Sequence, residues 1–190
     1  MIDNVRLLPL ENPRFVQPKL MLYNEDGKEK SWELVHAHDS VAALIYNRDR
    51  DAFIIVKQFR PAIFLHNNDG YTYELCAGIL DKDKSVEEIT AEEISEETGY
   101  EINAANLQKI TTFYTAVGYA GSRQTLFFAE VGDSDKTSGG GGIDTEQIEV
   151  IELPLKEIDN FMFDESIAKT SGLLFAFFWY TDIYSKGKTV

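Results

Sequence analysis

Residues 78–100 read Gly-Ile-Leu-Asp-Lys-Asp-Lys-Ser-Val-Glu-Glu-Ile-Thr-Ala-Glu-Glu-Ile-Ser-Glu-Glu-Thr-Gly-Tyr, a glycine turn followed by a segment with six glutamates. Ser85 lies three residues before Glu88, and this Ser-x-x-Glu pattern caps the start of a helix reciprocally. Gly99 follows the segment, and glycine commonly ends a helix because it adopts the left-handed conformation without a Cβ clash. The stretch therefore predicts a helix between these two signals.

The apolar side of this predicted helix also carries carboxylates. At roughly 100° per residue, Val86, Ile89 and Ile94 mark its buried side. Glu93 and Glu97 project from the middle of the same side. Like charges four residues apart repel, and an unpaired carboxylate drawn toward an apolar face costs more free energy. A cation is therefore expected beside these two side chains.

A divalent metal ion is the predicted cation. The chain has no basic residue between Lys84 and Lys109. Mg²⁺ and Mn²⁺ are hard ions that prefer oxygen ligands such as carboxylates. The stretch thus predicts a site for Mg²⁺, with Mn²⁺ as a substitute. A solvated acidic helix without a metal is the alternative.

The same stretch resembles the Nudix box, Gly-x5-Glu-x7-Arg-Glu-U-x-Glu-Glu-x-Gly-U, in which U is a bulky aliphatic or aromatic residue. The matching positions are Gly78, Glu93, Ile94, Glu96, Glu97, Gly99 and Tyr100. Two positions depart, because Lys84 stands where the family has glutamate and Glu92 where it has arginine. In the family those two residues mainly brace the loop–helix–loop, so the departures concern its support more than its metal ligands.

The resemblance extends over most of the chain. The blocks that carry it are Lys30-Ser31-Trp32-Glu33, His38-Asp39-Ser40-Val41, Val56-Lys57-Gln58-Phe59-Arg60-Pro61, Glu74-Leu75-Cys76-Ala77-Gly78 and Gly121-Ser122-Arg123-Gln124-Thr125. Together they resemble the UDP-sugar pyrophosphatase branch of the nucleoside-diphosphate-sugar Nudix hydrolases. Relatives specialised for ADP-ribose usually carry Ser-Pro-Gly after the box, whereas this chain has Ala116-Val117-Gly118.

This resemblance implies a metal-dependent hydrolysis. The metal ligands would be Glu93, Glu96 and Glu97, the backbone carbonyl of Ala77, and Glu74 just before the glycine turn. The resemblance also implies that Glu97 is a catalytic residue. The substrate would be a nucleoside diphosphate sugar such as UDP-glucose, cleaved to UMP and glucose 1-phosphate by water. A metal ion lowers the pKa of that water and neutralises charge on the phosphate oxygens.

A general base is also expected. The resemblance places it on the loop before the last strand, where Asp144 and Glu146 follow four consecutive glycines, residues 139–142. Such a glycine run predicts a mobile loop that closes over the substrate. Register with Gln147-Ile148-Glu149-Val150 favours Glu146 as metal ligand or base, with Asp144 as the competing base. Two solvated loop acids are the alternative.

Two arginines and two glutamines are considered for substrate binding. Arg60 and Arg123 offer guanidinium groups, whose paired donors match phosphate oxygens. Gln58 is the candidate for orienting polar groups of the substrate, and Gln124 is considered for the same role from its position alone. A surface salt bridge is the alternative role for each arginine.

Composition restricts the partners. The 190 residues carry a formal net charge of −14, which argues against nucleic acid and anionic membrane as partners. The chain has no run of ~18 apolar residues and begins without a basic region followed by an apolar stretch. Cys76 is the one cysteine, which excludes an intrachain disulfide and suits a reducing compartment. We expect a cytoplasmic protein.

The fold predicted is α/β, a Nudix α/β/α sandwich with a mixed sheet and an N-terminal antiparallel β arm. Strands are expected at 19–24, 30–36, 41–46, 53–58, 71–76, 110–114, 125–131 and 148–153, and a C-terminal helix at 164–184. Residues 1–39 would form the arm and 40–190 the hydrolase domain. The resemblance also implies a homodimer, with the arm contacting the partner subunit.

Two other functions remain open from the sequence. An ADP-ribose diphosphatase would share the fold and the metal site. A non-catalytic nucleotide-binding module is the other alternative, because Lys84 and Glu92 depart from the box. The retained carboxylates at Glu93, Glu96 and Glu97 argue against a pure binder.

Overall fold

Two antiparallel strands near the amino terminus form a sheet of their own. In the computed structural model, which describes residue 2 and residues 4–13 and 16–187, β1 (Gln17–Glu25) pairs with β2 (Lys28–His36). The turn between them places Asp26 and Gly27 at φ values of 52° and 75°, the left-handed region that an Asp-Gly hairpin requires. The predicted β arm is therefore confirmed, while its boundary at residue 39 stays a prediction.

A mixed sheet of seven strands forms the rest of the scaffold. The strands are β3 (Ser40–Asn47), β4 (Ala52–Phe59), β5 (Tyr71–Glu74), β6 (Cys76–Ile79), β7 (Gln108–Tyr114), β8 (Arg123–Val131) and β9 (Ile148–Pro154). The central strand β3 is parallel to β8 along one edge, and its other edge pairs first with β6 and then with β4. β4 then pairs with both β5 and β9. The sheet thus forks, and the chain crosses the fork between Glu74 and Cys76.

Helices cover both faces of this sheet. They are α1 (Pro61–Asn67), α2 (Val86–Glu93), α3 (Ile158–Phe163) and α4 (Ser171–Trp179), and π-helical turns extend α2 through Ile94–Thr98 and α4 through Tyr180–Tyr184. Successive residues of a strand point to opposite faces, so Phe53 packs with Phe177 of α4 while Ile54 packs with Ile94 after α2. This layering confirms the predicted α/β/α arrangement. No helix in the described part of the chain is long and apolar enough to cross a membrane.

Some predicted elements differ from the structure. The strand expected at 71–76 is two strands that pair with different partners, because the sheet forks there. The single helix expected over 164–184 is wrong, since α4 begins at Ser171. Asp164 accepts hydrogen bonds from the backbone and hydroxyl of Ser166, and Lys169 donates to the carbonyl of Ile167. These local bonds satisfy backbone groups outside a helix.

Candidate active site

Helix α2 begins where the capping signal predicts. The hydroxyl of Ser85 accepts from the backbone N–H of Glu88 at 3.2 Å, and the Glu88 carboxylate accepts from the Ser85 N–H at 2.8 Å. Gly99 ends the helix at φ 77°. The last five residues form a π-helical turn, a feature that often accompanies functional sites. This turn, absent from the sequence-based prediction, carries Glu96 and Glu97.

Glu93 lies against the backbone of the glycine that precedes the helix. A Cβ atom added to Gly78 would lie 2.2 Å from Cδ of Glu93 and 2.3 Å from its Oε1. Such distances are far shorter than a normal contact, so any side chain at residue 78 would displace the carboxylate of Glu93. The glycine at residue 78 therefore allows the carboxylate of Glu93 to approach strand β6.

Glu97 is the most buried carboxylate of the site, with 5% of its surface exposed. Its Oε2 accepts a hydrogen bond from the backbone N–H of Ala77 at 3.1 Å, and the Cys76 thiol also bonds to it. Burial raises the pKa of Glu97 to about 8, and the charges of Glu93 and Glu146 add to this effect. The two hydrogen bonds act in the opposite direction. A negative charge at Glu97 is therefore costly unless a cation lies beside it.

The glycine loop, residues 138–142, lies against the end of the same helical segment. Gly141 N–H donates to the carbonyl of Glu97 at 2.8 Å, and Gly142 N–H donates to that of Glu96 at 3.0 Å. Because these bonds need φ values of 111° and 85°, glycine suits both positions. The loop thus brings Glu146 beside the helix. That the loop moves during the reaction stays a prediction.

Glu146 and Asp144 differ in their surroundings. The charge of Glu146 is among those that raise the pKa of both Glu93 and Glu97, and its Oε2 accepts from the backbone N–H of Ile143 at 3.1 Å. Both residues are exposed, and Asp144 has a φ of 51°. The structure therefore brings Glu146, rather than Asp144, into the electrostatic field of the helix carboxylates.

The acidic cluster consists of Glu93, Glu97 and Glu146, with Glu96 half-buried beside it. Among the described residues, no three His, Cys, Asp or Glu side chains converge closely enough to enclose a metal ion. The chemistry of the cluster nevertheless fits a hard divalent ion, because all of its side-chain ligands would be carboxylate oxygens. Burial raises the pKa of Glu93 as well as that of Glu97, so a nearby cation would stabilise their charged forms. Side-chain rotation would be needed for these carboxylates to share one ion.

Glu74 lies on the other side of the fork, paired with Arg60. The guanidinium donates from Nε to Oε1 at 2.8 Å and from Nη2 to Oε2 at 2.7 Å, and the Thr72 hydroxyl also donates to Oε1. Glu74 is buried, whereas the Arg60 side chain is 45% exposed. Both carboxylate oxygens of Glu74 are therefore engaged by protein donors. Glu74 was predicted as a metal ligand, and in the structure it forms an ion pair with Arg60.

A cleft of about 600 Å³ lies next to this pair. Its lining includes Arg60, Glu74, Ala77, Tyr119 and Gln124. Ala77 also binds Glu97, so the cleft adjoins the acidic cluster. Tyr119 was not predictable from the sequence, because a single aromatic residue in a loop carries no pattern.

Residues 36–171 match the family model of the NUDIX domain. The chain belongs to the Nudix family. Similar proteins include a uridine diphosphate glucose pyrophosphatase of Bos taurus, 35% identical over 91% of both chains, and one of Mus musculus, 34% identical over 94% of both. A GDP-mannose pyrophosphatase of Cronobacter sakazakii is 39% identical over 66% of this chain and 64% of its own. The resemblance stated from the sequence is confirmed.

Two of the predicted substrate-binding residues of this Nudix domain lie outside the cleft. Arg123 pairs with Asp39 through Nε at 2.9 Å and Nη2 at 2.7 Å, and it is 59% exposed. The next residue, Gln124, points to the opposite face of β8 and lines the cleft instead. Gln58 lies opposite Thr72 on the sheet, on the same face as Glu74 but away from the cleft lining.

The two departures from the Nudix box lie against each other. Lys84 forms an ion pair with Glu92, which begins the stretch of four carboxylates at residues 92–97. An ion pair with reversed charges therefore occupies the two positions at which the family has glutamate and arginine.

Proposed function

We propose that this Nudix domain hydrolyses the diphosphate of UDP-sugars and converts UDP-glucose to UMP and glucose 1-phosphate with Mg²⁺. The observation that carries the proposal is the acidic cluster around the buried Glu97, next to a cleft that contains Arg60. The relatives that match over more than nine tenths of both chains support the substrate, since they are named uridine diphosphate glucose pyrophosphatases.

Glu93, Glu96 and Glu97, together with the carbonyl of Ala77, would hold Mg²⁺, and Mn²⁺ would substitute. When bound, the ion supplies charge neutralisation for the diphosphate and acidifies a water molecule. The Gly78 backbone and the Ala77 N–H hold the first and last of these glutamates close to the cleft. Glu74 would contribute from the fork only if its pair with Arg60 opened.

Glu146 would act as the general base. Its carboxylate takes the proton as the water oxygen forms a bond to one phosphorus and the bond from that phosphorus to the bridging oxygen breaks. The bridging oxygen leaves with the other phosphate. The loop bonds from Gly141 and Gly142 to the helix end hold Glu146 near Glu93 and Glu97. Asp144 is the competing base.

Arg60 would bind the diphosphate. A guanidinium has five N–H donors, and only two of them are used by Glu74. The remaining donors lie on a side chain that is 45% exposed at the cleft. Glu74 thus fixes the orientation of Arg60 while leaving donors for phosphate oxygens.

The proposal includes a homodimer built through the β arm. Leu20 and Leu22 are each 62% exposed on one face of the arm, and the paired residues Met21 and Trp32 are 50% and 54% exposed on its other face. Apolar side chains so exposed on a two-stranded sheet are typical of a surface covered by a partner. We also propose a cytoplasmic location, because the chain's one cysteine, Cys76, is buried and free.

The test is product release from UDP-glucose, GDP-mannose and ADP-ribose with Mg²⁺, for the wild type and Glu97→Gln. UDP-glucose should give the highest kcat/KM, and Glu97→Gln should lower it by about 100-fold or more. Glu87→Gln, the same change on the same helix but away from the cluster, is the control and should retain activity. If ADP-ribose or GDP-mannose is preferred, the UDP-sugar assignment is wrong. If nothing is hydrolysed but a nucleotide sugar raises Tm, the domain is a binding module.

A further inference from the structure

Two lysines of the loop before α2 contact the acidic end of that helix. Lys84 donates to Oε1 of Glu92, while Nζ of Lys82 lies 3.3 Å from Oε2 of the same carboxylate. Nζ of Lys82 is also 4.0 Å from Oε1 of Glu93. Both lysines therefore contact the carboxylate of Glu92, and Lys82 also lies near Glu93 of the acidic cluster.

We propose that Lys82, Lys84 and Glu92 form a lysine clamp that positions the carboxylate of Glu93. The clamp replaces, with reversed charges, the glutamate and arginine that the family carries at residues 84 and 92. Its three members are positioning residues for the hydrolysis, so this inference rests on the proposed function.

The clamp acts on a segment that has few other attachments. Residues 80–85 belong to no helix or strand. Their start is held by the Leu80 N–H, which donates to the carbonyl of Asp39 at 2.8 Å, and their end by the Ser85 capping box. Between these two points the lysine contacts join the loop to the last turn of α2. Oε1 of Glu93 thus lies close both to the Gly78 backbone and to Nζ of Lys82.

Charge reversal preserves one of the two contacts to residue 92. Attraction between residues 84 and 92 does not depend on which of them carries which sign, whereas the contact from Lys82 requires a carboxylate at residue 92. The surface hollow around the clamp is also lined by Glu96 and Glu101. Lys82 and Lys84 are the basic residues in this lining. Reversing Lys84 alone would place a carboxylate against Glu92 in an already acidic region. Reversing Glu92 alone would place three lysines together.

The test is a charge-swap cycle with Lys84→Glu, Glu92→Lys and the double variant. We expect each single change to lower kcat/KM for UDP-glucose by on the order of 5-fold and to raise the Mg²⁺ concentration for half-maximal activity. The double variant should recover part of the lost kcat/KM, because the attraction between residues 84 and 92 is restored, whereas Lys82 would still lie beside a lysine at residue 92. Lys186→Glu breaks an exposed ion pair with Asp182 at the end of the C-terminal helical segment and should have no effect.

Melting temperature separates positioning from simple support of the fold. Exposed ion pairs contribute little to folding, so the single variants should melt close to the wild type while their Mg²⁺ requirement rises. Single variants that keep full kcat/KM, a double variant that does not recover, or activity lost only in parallel with Tm would each overturn the clamp. If the wild type hydrolyses no sugar nucleotide, the proposed function fails. The clamp is then tested by the Mg²⁺-induced rise in Tm, which the single variants should reduce and the double variant should restore in part.

Discussion

Gly78→Ala tests the contact between the glycine turn and Glu93. The added Cβ would lie 2.2 Å from Cδ, 2.3 Å from Oε1 and 2.5 Å from Cγ of Glu93, whereas ordinary contacts begin at 3.4 Å. The carboxylate must therefore move by roughly 1 Å or more, a misplacement that can lower a rate by about 100-fold. Gly78 does not have a positive φ, so alanine introduces no backbone strain. We expect a loss in kcat/KM of that order with little change in Tm.

The assay is UMP release from UDP-glucose across a series of Mg²⁺ concentrations, with calorimetric Tm measured on the same samples. Gly118→Ala is the matched control, because a Cβ there meets nothing within 4 Å. It should retain wild-type kcat/KM. Gly78→Ala activity within about threefold of wild type would show that Glu93 can move without consequence and would refute its placement as a metal ligand. A large fall in Tm would show instead that the backbone absorbs the clash.

Three further outcomes are expected. Burial raises the pKa of Glu97 to about 8. The folded protein therefore binds the carboxyl proton of Glu97 more tightly than the unfolded chain does, and the stability that this proton contributes is lost as pH rises toward 8. In EDTA, calorimetry should therefore show Tm falling between pH 5 and pH 8 more steeply for the wild type than for Glu97→Gln, and parallel profiles would contradict the burial argument. Arg60→Lys keeps the charge but loses the paired donors, so KM for UDP-glucose should rise by about 10-fold; an unchanged KM would remove Arg60 from substrate binding. Leu20→Glu places a charge on the exposed face of the arm and should convert a dimer to a monomer in sedimentation, whereas a monomeric wild type would disprove the dimer.

The helix of the Nudix box was predictable because its signals are local. Ser85 and Glu88 cap the same turn, and Gly99 ends the helix one residue after its last turn. The hairpins were predictable for the same reason. The C-terminal helix was predicted too long, since an apolar run does not reveal the competing bonds of Asp164 and Lys169. Helix α1 went unpredicted, although Pro61 at its first position was a usable signal.

Pairings between distant segments were not predictable. Arg60 and Arg123 look equivalent in the sequence, yet only Arg60 lines the cleft, while Arg123 pairs with Asp39, 84 residues earlier. Strand register decides this, since neighbouring residues of β8 point to opposite faces. The pairing of Lys84 with Glu92 likewise depends on how the loop folds back onto the helix.

The box helix, its acidic composition and the family follow from local features of the chain, because caps, glycines and the spacing of glutamates act within a few residues. The burial of Glu97 beside Ala77, the placement of Glu146 by the glycine loop and the pairing of Glu74 with Arg60 depend on contacts between distant segments. The physical reason is that burial and electrostatic neighbours arise from segments brought together by sheet register and by the fork between β5 and β6. These arrangements set the pKa of a carboxylate and the direction of a guanidinium, which no local pattern encodes.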